Sequence, residues 1–328
     1  MKNWRGYITA FASVVIGVAL LAPFEANAQN VREQGSGTKQ AAWQNAVLGL
    51  DFGVREDSLR WHIAGDIDGE NPNILSELTW KDMEFYYLQQ RLDAKLTNDG
   101  LLRFKERLGY GRVRTGKNRD SDYDGDNRTL EFSRSDNGVN GSSVVDVSVA
   151  VGVCIAPATG GNEFIPYIGY AANIQNMRMT DGYQTINPGG YTGPFPGLDS
   201  KYDAIWRGPW AGFDVLFSAG EQLKITGSFE YHFKVDYHAE ADWNLREDFA
   251  HPVSYEHESK GHGIALDIGG RYQLDDNASF NVTLGWRKFD AGSGTDTVYY
   301  IDGTHDMTRL NEVKWESKSI LLGYSLVF

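Results

Sequence analysis

Two short segments hold side chains suited to chemistry. One is Arg119-Asp120-Ser121-Asp122-Tyr123-Asp124, and the other is Asp236-Tyr237-His238. Residues i and i+2 share one face of an extended strand. Asp120 with Asp122, and Asp236 with His238, can therefore each present two groups to one place. A His titrating near neutrality can act as general base, a carboxylate can orient it, and a second acidic pair can position a water. Plainer readings stand beside this one. Asp120, Asp122, Asp124, Asp126 and Asp136 all fall within 118–141, where Asp-rich solvated turns are common. The run from Asp120 to Asp126 also resembles part of a calcium loop. His238 fits equally as a hydrogen-bonded interior side chain. Asp248 with His251, His257 and His262 are further sources of a histidine.

Composition removes several classes. The chain has 328 residues, 31 basic and 44 acidic side chains, and a formal charge of −13. An acidic balance with no basic run argues against a nucleic-acid partner. A single cysteine, Cys154, rules out a disulfide scaffold and a cysteine-based zinc site. No window beyond the N-terminus has eighteen apolar residues, so no helical membrane bundle is expected. There is no Walker loop, nucleophile elbow or zincin helix. The negative mean hydropathy suits a soluble protein, yet 37 Gly, 17 Tyr, 16 Phe and 9 Trp are unusual for one.

The first segment reads as an address. Lys2 and Arg5 precede an apolar run from Ile8 to Ala22, and Ala26-Asn27-Ala28 forms a small-x-small site. This is the pattern of a bacterial secretory signal over residues 1–28, cleaved before Gln29. Its removal takes away a net charge of +1 and leaves −14. Residues 29–43 are expected as a periplasmic N-terminal segment and 44–328 as the folded unit.

The elements that must position the chemical groups alternate with period two. From Leu223 to Tyr237, Leu223, Ile225, Phe229, Tyr231, Phe233, Val235 and Tyr237 fall on one face. Lys224, Thr226, Ser228, Glu230, His232, Lys234, Asp236 and His238 fall on the other. That is a strand with an apolar and a polar side, far longer than the usual five or six residues. Ile320, Leu322, Tyr324, Leu326 and Phe328 repeat the pattern at the C-terminus. Turn signals predict ten strands, near 44–62, 75–96, 101–117, 142–156, 163–179, 202–218, 222–242, 258–273, 278–290 and 310–328. Short connections alternate with long ones rich in Asp, Gly, Asn or Pro.

Such strands fit an all-β fold: a closed antiparallel ten-stranded transmembrane β-barrel with long extracellular loops. Lipid offers no partner to an open sheet edge, so a spanning sheet must close. Short turns then face the periplasm, long loops face outside, and Tyr and Trp near strand ends form girdles. At this strand number the interior is narrow. The inward row Glu230, His232, Lys234, Asp236 and His238 is expected to bond to Arg103, Lys105, Arg107 or Arg287 of neighbouring strands.

The chain resembles the omptins, outer-membrane aspartate–histidine proteases of Gram-negative bacteria. Val47-Leu48-Gly49-Leu50-Asp51-Phe52-Gly53 followed by Leu75-Ser76-Glu77-Leu78-Thr79-Trp80-Lys81 resembles the omptin opening. The strand count, the five large outer loops and the terminal Phe328 resemble that family too. The resemblance implies an Asp-x-Asp pair across the barrel mouth from an Asp-x-His pair, together activating a water that attacks a peptide bond beside basic residues. Asp120 and Asp122 match the first pair, and Asp236 and His238 the second. The second pair sits nearer its strand start than the family pattern has it, and the matching position, Asp242-Trp243-Asn244, holds no His. No cofactor is expected, and the resemblance implies a lipopolysaccharide requirement.

Three roles follow for a protein of the bacterial outer membrane. The first is a non-proteolytic barrel, a surface protein or narrow pore. The second is a divergent omptin-type endopeptidase cleaving basic peptides. The third is an adhesin or binding protein. Expected partners are outer-membrane lipid and lipopolysaccharide, and cationic peptides or divalent cations at the acidic loops.

Overall fold

The structure, a computed structural model, describes residues 46–155 and 162–328. The expected signal peptide and N-terminal segment lie outside those residues. The strands are β1 (Ala46–Ile63), β2 (Ser76–Lys95), β3 (Leu102–Gly125), β4 (Thr129–Gly138), β5 (Ser143–Val153), β6 (Glu163–Ile186) and β7 (Gly193–Pro194). They continue with β8 (Asp199–Ser218), β9 (Leu223–Asp242), β10 (Tyr255–Gln273), β11 (Ala278–Ala291), β12 (Gly294–Tyr299) and β13 (His305–Val327). The described residues thus form thirteen strands in one antiparallel sheet, not ten. The three unforeseen strands, β4, β7 and β12, lie within segments expected as long loops. Each is a loop segment held extended against a long neighbour: β4 on β3 and β6, β7 on β6, and β12 on β10 and β13. No helix among the described residues is long and apolar enough to cross a membrane.

β13 pairs with β1 from Val47↔Val327 to Ile63↔Leu310, so the hydrogen-bonded order returns to its first strand. The sheet therefore has an inner and an outer face, a short-turn end and a long-loop end. The turn between β2 and β3 shows why the short end is tight. Asp99 accepts from Thr97 Oγ1 at 2.6 Å and from the Leu101 amide at 3.0 Å, and Gly100 takes φ +67°. A side chain there would be strained.

Near the short-turn end the outer face is apolar. Leu50, Phe52, Leu88, Ile168, Phe233, Ile268, Leu284 and Leu322 are all exposed. A continuous apolar belt of this kind marks contact with lipid or a partner rather than with water. Inside the same half lie charges. Arg107 bonds Glu230 at 2.6 and 2.7 Å and Asp267 at 2.8 Å. Lys105 bonds Asp214 at 2.9 Å and lies 4.7 Å from the Tyr167 ring centre. Glu230 thus finds both Arg107 and Lys105, as its inward row predicts, while Arg103 pairs with Glu163 instead.

Toward the long loops the polarity inverts. Leu59, Trp61, Trp80, Tyr202, Trp206, Tyr237, Phe289 and Trp315 form one buried inner cluster. The Trp206 ring centre lies 4.4 Å from that of Tyr237 and 6.0 Å from that of Trp315, tilted against both, and its indole N–H donates to Gln175 at 2.9 Å. Between the two layers, Arg55 bonds Asp57 at 2.7 Å and Asp146 at 2.5 Å. The cavity at that level, lined by Tyr87, Arg107, Asp146, Glu230 and Phe289, is only about 10 Å³, room for roughly one water. A larger cavity of about 270 Å³ opens toward the short-turn end.

Candidate functional site at the long-loop mouth

β3 carries Asp120 and Asp122 to the mouth. Asp120 pairs with Leu78 and Asn118 with Trp80, both inner-face residues of β2. Directly opposed residues point to the same side, so Asn118, Asp120 and Asp122 face inward. Asp120 Oδ1 is buried without a hydrogen-bond partner. Burial, then the charge of Asp122, hold the Asp120 carboxyl well above the usual carboxylate range, against the pull of Arg246. Burial also raises Asp122, opposed by hydrogen bonds from Ser76 and Ser133 and by Arg246. Across the mouth, Tyr255 is buried with its hydroxyl unpartnered. Its phenol is raised by burial first, then by the charges of Asp120, Asp296 and Asp122 among others. Two close carboxyls cannot both ionise cheaply, so this pair favours keeping a proton.

Asp236 and His238 do not join them. The inner face of β9 runs Glu230, His232, then Val235, Tyr237, Ala239 and Ala241. On β10, His232 opposes Gly263 and Val235 opposes Gly261, so two residues of β9, Phe233 and Lys234, meet one of β10. On the β8 side the register also shifts between Arg207 and Ala211. This β-bulge exchanges the faces of the strand beyond it. Tyr237 turns inward, and Asp236 and His238 turn outward, contrary to the expected inward row. His238 Nδ1 lies 3.3 Å from Glu256 and 3.9 Å from Glu258 on the outer wall.

Two of the further histidines, His251 and His257, find acidic partners that sequence spacing did not point to. His251, on the loop after β9, meets Asp242 at 2.7 Å through Nδ1 and the Arg246 carbonyl at 3.2 Å through Nε2. Asp248, the partner considered for His251, instead pairs with Arg246 at 2.7 Å. His257, fully buried, sits between Tyr202 at 2.9 Å and Asp296 at 3.1 Å. Thr308 donates to the other Asp296 oxygen at 3.0 Å, and Tyr202 shares a 2.5 Å contact with Tyr237. Asp296 belongs to β12, whose pairing no sequence pattern signalled. Only the alternation of β10 hints that His257 faces inward. His262 is exposed on β10.

The family model described as Pom, Protochlamydia outer membrane protein, matches residues 49–328. The chain belongs to this Pom family. Among solved structures, the outer membrane protease OmpT of Escherichia coli is similar over 89% of this chain and 100% of its own. Its TM-score is 0.73 and its identity 14%. At that identity the likeness is one of fold, and the omptin resemblance holds at that level. The translocator domain of the autotransporter NalP from Neisseria meningitidis covers 99% of this chain and 96% of its own, at 10% identity and TM-score 0.35. The outer membrane protein OprG of Pseudomonas aeruginosa covers 87% and 97%, at 9% identity and TM-score 0.32. No curated protein sequence matches significantly. Membership of the Pom family makes this an outer-membrane protein, with an all-β fold like that of outer-membrane barrels.

Proposed function

We propose that the chain is a closed transmembrane barrel of ten long strands, delivered by the signal peptide over 1–28 and cleaved before Gln29. It acts as a non-conducting, non-proteolytic surface protein that presents an acidic mouth. One observation carries the reading: the interior is blocked across its middle and above. The ion pairs around Arg107 and Glu230 border a cavity of only about 10 Å³, the cluster around Trp206 and Trp315 occupies the space toward the long loops, and the cavity of about 270 Å³ lies on the short-turn side of that block. A wide channel needs an unfilled lumen. The outward turn of His238 removes the general base that an Asp236–His238 pair would offer.

A second reading, a divergent endopeptidase for basic peptides, draws on a separate observation. Asp120 and Asp122 face inward at the mouth, and Asp242–His251 forms an Asp–His contact near where the omptin pattern places one. An adhesive role through the loops is a third. The refolded protein, with lipopolysaccharide present, is assayed in a planar bilayer and with a fluorogenic peptide of paired basic residues. Neither conductance steps nor cleavage is expected. Discrete steps would establish a pore. Cleavage lost in Asp122→Asn and His251→Ala would establish the protease.

A further inference from the structure

The outer wall between β9 and β10 carries a histidine and three glutamates in one group. Register places Glu256 opposite Glu240 and Glu258 opposite His238. Beyond the bulge these side chains point away from the interior, above the apolar belt that ends on β9 near Phe233. One oxygen each of Glu256 and Glu258 and one nitrogen of His238 lie within 4.8 Å of one another. The distances from His238 Nδ1 are 3.3 Å to Glu256 Oε1 and 3.9 Å to Glu258 Oε1. Ligands at zinc-like bond lengths in a tetrahedron stand about 3.3–3.5 Å apart. The group is thus near closure around a small divalent ion.

Three further features fit. Glu240 lies 3.7 Å from His238 Nε2, on the side where the ring's remaining N–H points once Nδ1 binds. Metal-bound histidines regularly give that N–H to a carboxylate. Tyr299 of β12 donates to Glu256 Oε2 at 2.9 Å, which turns Oε1 toward His238. Finally, neither Glu256 nor Glu258 is ion-paired to a Lys or Arg among the described residues. Like charges directly opposite across a ladder, as Glu240 and Glu256 are, repel. A dication relieves that repulsion.

We propose that His238 Nδ1, Glu256 and Glu258 form a surface site for a nitrogen-accepting divalent metal of the zinc class, with Glu240 and Tyr299 as positioning residues. The imidazole selects such ions over calcium and magnesium, which take oxygen ligands. The site is independent of the mouth and of the role proposed above.

The test is zinc titration by calorimetry on tag-free, full-length mature protein refolded in detergent, with cobalt absorption reporting geometry. One zinc per chain and a tetrahedral cobalt spectrum are expected. His238→Ala, and the exposed and therefore fold-neutral Glu258→Gln, should each weaken zinc binding roughly 100-fold or more. Glu240→Gln should weaken it roughly 10- to 100-fold, and Arg119→Ala, remote from the site, should leave it unchanged. Absence of stoichiometric zinc, or zinc bound as tightly by folded Glu258→Gln as by the parent chain, overturns the proposal. Equal competition by calcium does so as well.

Discussion

The two halves of the sheet solve opposite solvent problems. Near the short turns the outer face is Leu50, Phe52, Ile268 and Leu322, and the interior is Asp51, Lys105, Arg107 and Glu230. Toward the long loops the interior is Trp61, Trp80, Trp206 and Trp315, and the wall carries Glu56, Arg60, His238 and Glu258. Apolar groups follow whatever excludes water. In one half that is the surroundings of the outer wall, and in the other it is the packed interior. β1 and β9 cross between these regimes differently. In β1 the register with β13 is unbroken from Val47 to His62, and the apolar phase itself changes, from Leu50, Phe52 and Val54 outward to Leu59 and Trp61 inward. In β9 the bulge at Phe233 and Lys234 swaps the faces just where polarity swaps. The two changes cancel, and the sequence keeps one unbroken alternation.

Removing the bulge tests that account most severely. Deleting Lys234 takes out the extra residue and leaves Val235 and Tyr237 inward and Asp236 and His238 outward, so the folded, heat-modifiable form on a gel should persist. Tyr237→Asp instead puts a carboxylate beside Trp206 in the aromatic interior, where burying it unpaired costs several kcal/mol, and that form should be lost. The two interiors can then be weighed against each other. Arg107→Ala unpairs Asp267 and leaves Glu230 with Lys105 as its remaining strong cation, and breaking a buried pair this way costs roughly 3–5 kcal/mol. Trp206→Ala opens a void and unpairs Gln175, a loss of roughly 3–5 kcal/mol from packing. Urea unfolding in vesicles should show comparable losses. A loss below about 1 kcal/mol for either would mean that half does not contribute to the block described.

The mouth should respond to pH. The folded pKa of Asp120 is raised, so the folded state holds its proton more tightly than the unfolded chain does. Stability from this group is present below the unfolded pKa, about 3.9, and falls as pH climbs toward the folded value. Asp120→Asn should therefore match the parent chain in strong acid and become the more stable of the two as pH rises to neutrality. Melting curves at several pH values check this, and a variant less stable at neutral pH would contradict it. The smallest effect belongs to the exposed wall. Arg119 pairs with Asp136 at 2.7 Å, both exposed. Arg119→Ala should shift stability by less than about 1 kcal/mol.

Much of the fold was legible in the sequence. At the short-turn end the long strands start and end within a few residues of the turn signals, because Gly, Asn and Asp clusters break pairing there. At the long-loop end β3 and β6 run on to Gly125 and Ile186, well past the expected ends at 117 and 179, because neighbouring loop strands pair with them. The inward row was legible through Glu230 and His232. It failed from Lys234 onward, where Lys234, Asp236 and His238 all turn outward, since a bulge that coincides with a polarity change leaves no mark on the alternation. Asp120 and Asp122 share the inner face, as their spacing allowed. His257 with Asp296, and His251 with Asp242, could not be read, because their partners come from β12 and from a loop whose course depends on the finished sheet.

By itself, then, the sequence determined the period of the ten long strands and the place of the short turns between them, which are local matters of side-chain alternation and turn chemistry. Only the tertiary structure decided which face of each strand became the inside. That depends on one extra residue in β9 and on neighbours more than fifty positions away. The same decision moved His238 from the mouth to the outer wall and put it beside Glu256 and Glu258.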